Sequence, residues 1–138
     1  MSRIKFNIDA MKFMSLFEAM TRAKLKDCII TDALITFIVE EGEIAKAIGK
    51  GAANIKKLEA KLKKKIKIVE FSHEITKFIQ SLVYPAKVSD LDCDGKIVTI
   101  TAADSKSRGL MIGREANILR AFEAIAKRYF EIEEIKVA

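Results

Sequence analysis

The sequence predicts an α+β protein built from two successive copies of one α-β-β-α-α-β unit, over residues 1–71 and 72–138. Three observations predict it. Helical apolar spacing and short β-branched runs follow one another in the same order twice. Laying the second half over the first with a shift of 64 residues sets apolar positions on apolar positions. A glycine-centred break also falls at the same place in both copies, at Gly49 and at Gly113.

In the first copy, Met11, Met14, Leu16, Phe17 and Met20 recur at mostly three- and four-residue spacings, with Lys12, Ser15 and Glu18 between them. This predicts an amphipathic helix over residues 9–22, with Asp9 as its cap and the methionine stripe in the core. "CIITDALITFIVEE" follows as two β-branched runs broken at Thr31-Asp32-Ala33, the pattern of a hairpin. A helix from Glu43 is interrupted at Gly49 to Gly51 and resumes from Ala52 to about Leu62. "KKIKIVEF" then reads as a strand carried by Ile66, Ile68 and, with a slip, Val69.

The second copy opens with "HEITKFIQSLVY", where Ile75, Phe78, Ile79 and Leu82 share a helical face that Pro85 terminates. "AKVSDL" and "KIVTITAA" are strands around Asp94-Gly95, a dipeptide with hairpin-turn chemistry. A short helix reaches Ile112, Gly113 interrupts, a longer helix covers residues 116–130, and "EEIKVA" closes as a strand. Under the shift, Ile55, Leu58 and Leu62 face Leu119, Phe122 and Ala126. Each copy is small for an independent fold and no Pro- or Gly-rich linker separates them, so a rigidly packed tandem is expected.

Charge divides the copies. The net charge is +6; residues 1–70 hold fifteen Lys/Arg against nine Asp/Glu, and residues 71–138 hold ten of each. From Lys46 to Lys67 there are nine lysines and one acid, Glu59, so an anionic partner meets the first copy first. Cys28 and Cys93 are too few and too widely spaced for a metal knuckle and read as reduced thiols. No run approaches a membrane span and no signal-peptide pattern is present, which predicts a cytoplasmic protein without membrane contact. His73 is the only histidine and the acids are unpaired, so the sequence offers no catalytic, metal or cofactor constellation.

The glycine breaks carry the one chemical motif. Gly49-Lys50-Gly51-Ala52 and Gly113-Arg114-Glu115-Ala116 each join two helices. Such a turn offers backbone N–H groups and a helix N-terminus to a phosphate oxygen, with Lys50 or Arg114 adding a formal charge. The spacing and the missing hydroxyl exclude a nucleotide-hydrolysing P-loop. Lys56, Lys57 and Lys61 lie off the apolar stripe of the following helix, either as phosphate contacts or as a solvated face. Asn54 is placed either to read a base or to cap locally.

The element order, with I-G-K-G-A-A-N-I in one copy and I-G-R-E-A-N-I-L in the other, resembles two tandem K-homology (KH) domains of the prokaryotic type (type II). As a pair filling the chain, they resemble the archaeal NusA family of transcription elongation and termination factors; the closing "AIAKRYFEIEEIKV" is similar to the end of that family's second module. The resemblance implies a G-x-x-G loop that clamps the backbone of about four nucleotides. It also implies an apolar groove, for which Ile48, Ile55 and Ile68 are candidates or else plain core. The expected partner is single-stranded RNA, with RNA polymerase or ribosomal proteins as protein partners, and the chain is expected to be a monomer. A protein-interaction scaffold or a ribosome or RNA-processing factor is the alternative. Both loops depart from the pattern, with Ala52 and Ala116 at the last glycine. Alanine is tolerated there if the position has helical φ and ψ, and obstructs close approach if it faces the phosphate. Glu115 stands where an anion would sit, so the first loop is expected to bind more strongly.

Overall fold

The computed structural model describes residues 8–31 and 34–138, with the side chains of residues 8 and 9 also outside the described set. The chain forms two compact units, Met1–Ser72 and His73–Ala138. The first contains α1 (Ile8–Thr21), β1 (Leu25–Ile30), β2 (Leu34–Val39), α2 (Ile44–Ile48), α3 (Ala53–Leu62) and β3 (Lys65–Glu70). The second contains α4 (Ile75–Val83), β4 (Val88–Asp94), β5 (Ile97–Ala102), α5 (Ser105–Ile112), α6 (Asn117–Ala126) and β6 (Glu134–Val137). A one-turn 3₁₀ segment links α2 to α3 and another links α5 to α6.

Each unit has a three-stranded sheet, ordered β1-β2-β3 and β4-β5-β6. The first two strands of each are antiparallel, and the third runs parallel to the middle one. Cys28, Phe37 and Ile68 form one cross-strand row and Ile30, Ile35 and Ile66 the next, so period-two alternation brings them to the same face. α1 packs on that face: Phe17 is fully buried, with its ring stacked on Phe37 at 4.3 Å between centroids. The inner stripe of α1 is Ala10, Phe13, Met14, Phe17 and Met20. Met11, expected in the core, is 70% exposed, because Phe13 takes the inward position of that turn. Asp9, the expected cap, falls within α1 and its side chain lies outside the described residues, as does the hairpin tip at 32 and 33. The hairpin itself is closed by Thr31 N–H donating to Leu34 O at 3.0 Å.

Two boundaries differ from the sequence pattern. α6 stops at Ala126, four residues before the expected end at Phe130. Arg128 and Tyr129 donate to the carbonyls of Ile125 and Ala126, three residues back, and Tyr129 and Phe130 pack on Phe78 of α4 at 5.7 and 5.5 Å. Tertiary contact with aromatic rings overrides the continuing helical spacing there. In the β4–β5 hairpin the two loop residues are Gly95 and Lys96; Asp94 stays in register opposite Ile97, with Gly95 at φ +62°.

The duplication extends to individual hydrogen bonds. Lys24 N–H donates to Glu43 Oε1 at 2.8 Å, and at the matching place Lys87 N–H donates to Ser107 Oγ at 2.8 Å. Glu59 Oε2 accepts from Ile66 N–H at 3.2 Å, and Glu123 Oε2 from Ile135 N–H at 2.9 Å. Both first strands carry an irregularity near their start, at Leu25/Asp27 and at Val88/Asp90. The side chains differ while the ties recur, so each unit solves the same packing problem separately.

Burial distinguishes the two cysteines. Cys28 is buried on β1, and burial, reinforced by the charge of Asp27, pushes its thiol up from 9.0 to about 12. Cys93 is exposed. At pH 8 a disulfide-exchange reagent should modify Cys93 at once and Cys28 only on unfolding; fast reaction of both thiols would contradict the packing of β1. The stability that neutral Cys28 contributes is present below pH 9 and is lost as pH rises toward 12. Phe17→Ala should cost about 3–5 kcal/mol in urea unfolding, because it removes a fully buried ring and the stack that holds α1 on the sheet.

Candidate nucleic-acid interface

A parallel pair of strands cannot be joined by a tight turn. α2 and α3 make the crossing from β2 to β3, and Gly49-Lys50-Gly51-Ala52 lies at their junction. α5 and α6 cross from β5 to β6, with Gly113-Arg114-Glu115-Ala116 at theirs.

The two loops share one backbone. Gly49 has φ 76°, ψ 167° and Gly113 φ 72°, ψ −175°, a region essentially restricted to glycine. Two left-handed residues follow in each: Gly51 (62°, 28°) and Ala52 (60°, 28°), then Glu115 (53°, 33°) and Ala116 (59°, 23°). Ala52 and Ala116 therefore do not begin the second helices, as expected from alanine's helix preference; α3 starts at Ala53 and α6 at Asn117. The glycine at the end of the first helix already breaks each pair. Two left-handed residues reverse the screw sense and set the second helix off in a new direction.

Ala52 N–H donates to Gly49 O at 3.2 Å, and Ala53 N–H to Lys50 O. Among the described residues, the N–H groups of Lys50 and Gly51 reach no acceptor, and both residues are exposed. Asn54 caps: its Nδ2 donates to the Lys46 carbonyl at 3.1 Å, satisfying one of the last carbonyls of α2. A Cβ at Gly49 would lie 2.9 Å from that Nδ2, so the glycine is required by its neighbour as well as by its φ. At Gly113 the crowding comes from Asn117 and Ile118, with Asn117 Oδ1 2.5 Å from such a Cβ.

Lys50, Lys56, Lys57, Arg114 and Glu115 are exposed, as is Lys61; Ala52, Gly49, Gly113 and Ala116 are half-buried. The two units treat their cations differently. In the second, Glu123 draws in Arg120 at 3.1 Å and Lys127 at 3.8 Å. In the first, the matching Glu59 sits between Lys56 and Lys63, yet among the described residues neither lysine forms an ion pair, and nor do Lys50, Lys57 and Lys61. Lys67, the last lysine of the run, is half-buried on β3, and burial pushes its ammonium down to about 8. Ile55 and Ile68 pack against the core while remaining half-buried, and Ile48 is also half-buried.

Sequence reasoning missed three supports. Glu59, the lone acid of the lysine run, anchors β3 through Ile66 N–H. Glu43 anchors α2 through Lys24 N–H, and that bond holds its carboxyl below the usual range. Asp104 caps α5 by accepting from Ser107 N–H at 2.7 Å, and hydrogen bonds from Ser107 hold its carboxyl low. An aspartate directly before a helical segment was the available signal for the last of these. Among the described residues, no group of His, Cys, Asp and Glu could hold a metal ion, and no helix is long and apolar enough to cross a membrane.

The loop geometry makes opposite forecasts at its two ends, Gly49 and Ala52. Ala52→Gly should raise unfolding stability by about 0.5–1 kcal/mol, since glycine removes the left-handed strain of alanine but adds unfolded-state entropy. Gly49→Ala should lower it by more than about 2 kcal/mol, because φ and the Asn54 contact both oppose a Cβ. Urea titration of both variants checks the pair; a stabilising Gly49→Ala would refute the loop backbone.

Comparison with known proteins bears on the whole chain. The family model of the KH domain matches residues 14–73, which include the first glycine loop. "Probable transcription termination protein NusA" of Methanocaldococcus jannaschii is 31% identical over 99% of this chain and 76% of its own length. The protein of the same name from Methanococcus vannielii is 36% identical over 98% and 80%, and that of Halococcus morrhuae 28% identical over 99% of each. The crystal structure of APE1850 has the same fold, with a TM-score of 0.73 and 23% identity over 96% of this chain and 100% of that one. With the KH match spanning the first crossover and relatives above 30% identity aligned over nearly all of this chain, it belongs to the archaeal NusA family of KH-domain proteins.

Proposed function

We propose that the protein binds single-stranded RNA through two tandem KH modules, over 1–71 and 72–138, and acts in transcription elongation or termination. The observation that carries the reading is the first loop: among the described residues the N–H groups of the exposed Lys50 and Gly51 have no acceptor, and Lys50, Lys56 and Lys57 are in no ion pair. Such a site suits the backbone of a few nucleotides, held by charge and by N–H donors. The half-buried Ile55 of α3 and Ile68 of β3 suit the face of a base. The relatives' printed name, transcription termination protein, supports the pathway.

The second unit supports the tandem through its matching element order, its repeated ties and its identical loop backbone. Its loop is the weaker RNA grip in this reading. Glu115 occupies the position of Gly51 with an exposed carboxylate, and the cations of α6 are engaged with Glu123. Those same features favour a protein contact, such as RNA polymerase or a ribosomal protein, at the second unit. The reading assigns no catalytic residue, cofactor or metal.

The test is RNA affinity across a salt series for a pool of short single-stranded RNAs. Affinity of the parent should fall steeply with salt, because each neutralised phosphate releases counterions. Lys50→Ala should weaken binding about 3- to 10-fold and Arg114→Ala by less, each measured on protein that unfolds like the parent. Absence of binding by the parent, or a larger loss for Arg114→Ala, would refute the assignment of the first loop.

A further inference from the structure

Lys63, Lys64 and Lys65 lie at the opposite end of α3 from the glycine loop, and all three are exposed. α3 has 10 residues, so its ends are about 15 Å apart. Lys57 and Lys61, four residues apart on the exposed side of the helix, connect the two ends. Among the described residues none of these five lysines is in an ion pair. Glu59 is the only acid from Lys46 to Lys67, and its Oε2 accepts from the backbone of Ile66.

The local backbone presents the cluster. Lys63 ends α3 in the left-handed region at φ 53°, ψ 37°, with its N–H donating to Glu59 O at 2.8 Å. Glycine is the usual residue at such a cap, yet this chain keeps a lysine there. The matching end of α6 is built differently. Lys127 is right-handed, at φ −64°, ψ −17°, and its ammonium pairs with Glu123. The chain then passes Glu131 and Glu133 before β6. The triple-lysine end belongs to the first unit only.

We propose that Lys63, Lys64 and Lys65 form a second phosphate-binding station, so that a single-stranded RNA is held at both ends of α3. The inference rests on the reading that the first glycine loop grips RNA backbone, and extends its footprint beyond the nucleotides at the loop. Three adjacent flexible ammonium groups, without an exposed apolar neighbour, match a repeating row of phosphates better than a shaped protein surface.

The experiment compares the parent with Lys63→Gly/Lys64→Gln/Lys65→Gln, in which glycine suits the left-handed cap so that the fold is kept. Both are titrated with mixed-sequence single-stranded RNA pools of about 4 and about 12 nucleotides, within the span that single-strand-binding folds occupy. The variant should match the parent on the short RNA. On the long RNA its slope of log affinity against log salt should be shallower by about 2, three phosphate contacts at ~0.7 each. Over a fourfold rise in salt the parent then loses about 20-fold more affinity than the variant. Equal slopes on the long RNA would overturn the second station while leaving the loop reading intact. No binding of either RNA by the parent would overturn both. Competition by polyglutamate as effective as that of the long RNA would overturn the choice of RNA as the occupant.

Discussion

The parallel pairing of β2 with β3 is the constraint on which the rest of the first unit depends. A chain leaving the end of β2 must return the full length of the sheet before it can enter β3, and a segment with helices is the ordinary means. Here the crossover carries the glycine loop, the lysine stripe and the apolar residues beside it. The site is thus not an insertion on a finished scaffold. Its loop is the bend of the connection itself, and its position follows from where β2 ends and β3 begins. The second unit obeys the same constraint between β5 and β6, which explains why its loop backbone matches although its side chains do not.

Much of this was legible in the letters. The glycines at 49 and 113, the helix–strand order and the apolar register under a shift of 64 all report local rules of period and turn chemistry. What escaped was non-local or ran against propensity. Ala52 and Ala116 are left-handed, and nothing in an alanine announces that, since its own preference is the right-handed helix. The end of α6 was set by Phe78 drawing in Tyr129 and Phe130 from across the unit. The spacing around Met11 fits two neighbouring stripes, and only the packing of Phe13 decides between them. Asn54 was ambiguous between a base contact and a cap until the Lys46 carbonyl appeared within reach of its amide.

The electrostatic difference between the units is sharper in three dimensions than in composition. Both second crossover helices carry a glutamate that anchors the third strand, with cations three residues before it and four after. In α6 the glutamate also holds both cations, Arg120 and Lys127. In α3 it holds neither Lys56 nor Lys63. A paired surface cation is partly neutralised and has a fixed direction, whereas an unpaired lysine keeps its full charge and its freedom to follow a ligand. The same sequence frame therefore yields one helix whose cations are held by its glutamate and one whose cations are left unpaired among the described residues.

Backbone strain points the same way. Each left-handed non-glycine residue costs about 1 kcal/mol or more relative to a relaxed one. The first loop carries one such residue, Ala52, next to Gly51, and the second carries two, Glu115 and Ala116. α3 adds Lys63 at its far end. Among the described residues of the first unit, Ala52 and Lys63 flank α3, and a third left-handed residue, Arg22, follows α1. Substituting glycine at Lys63 would remove one charge from the exposed end of α3 and leave Lys64 and Lys65 in place. At Lys63 the strain comes with a charge that glycine would lack; at Ala52 it does not. Glu115 also carries a charge that glycine would lack, a negative one, at an exposed position of the second loop.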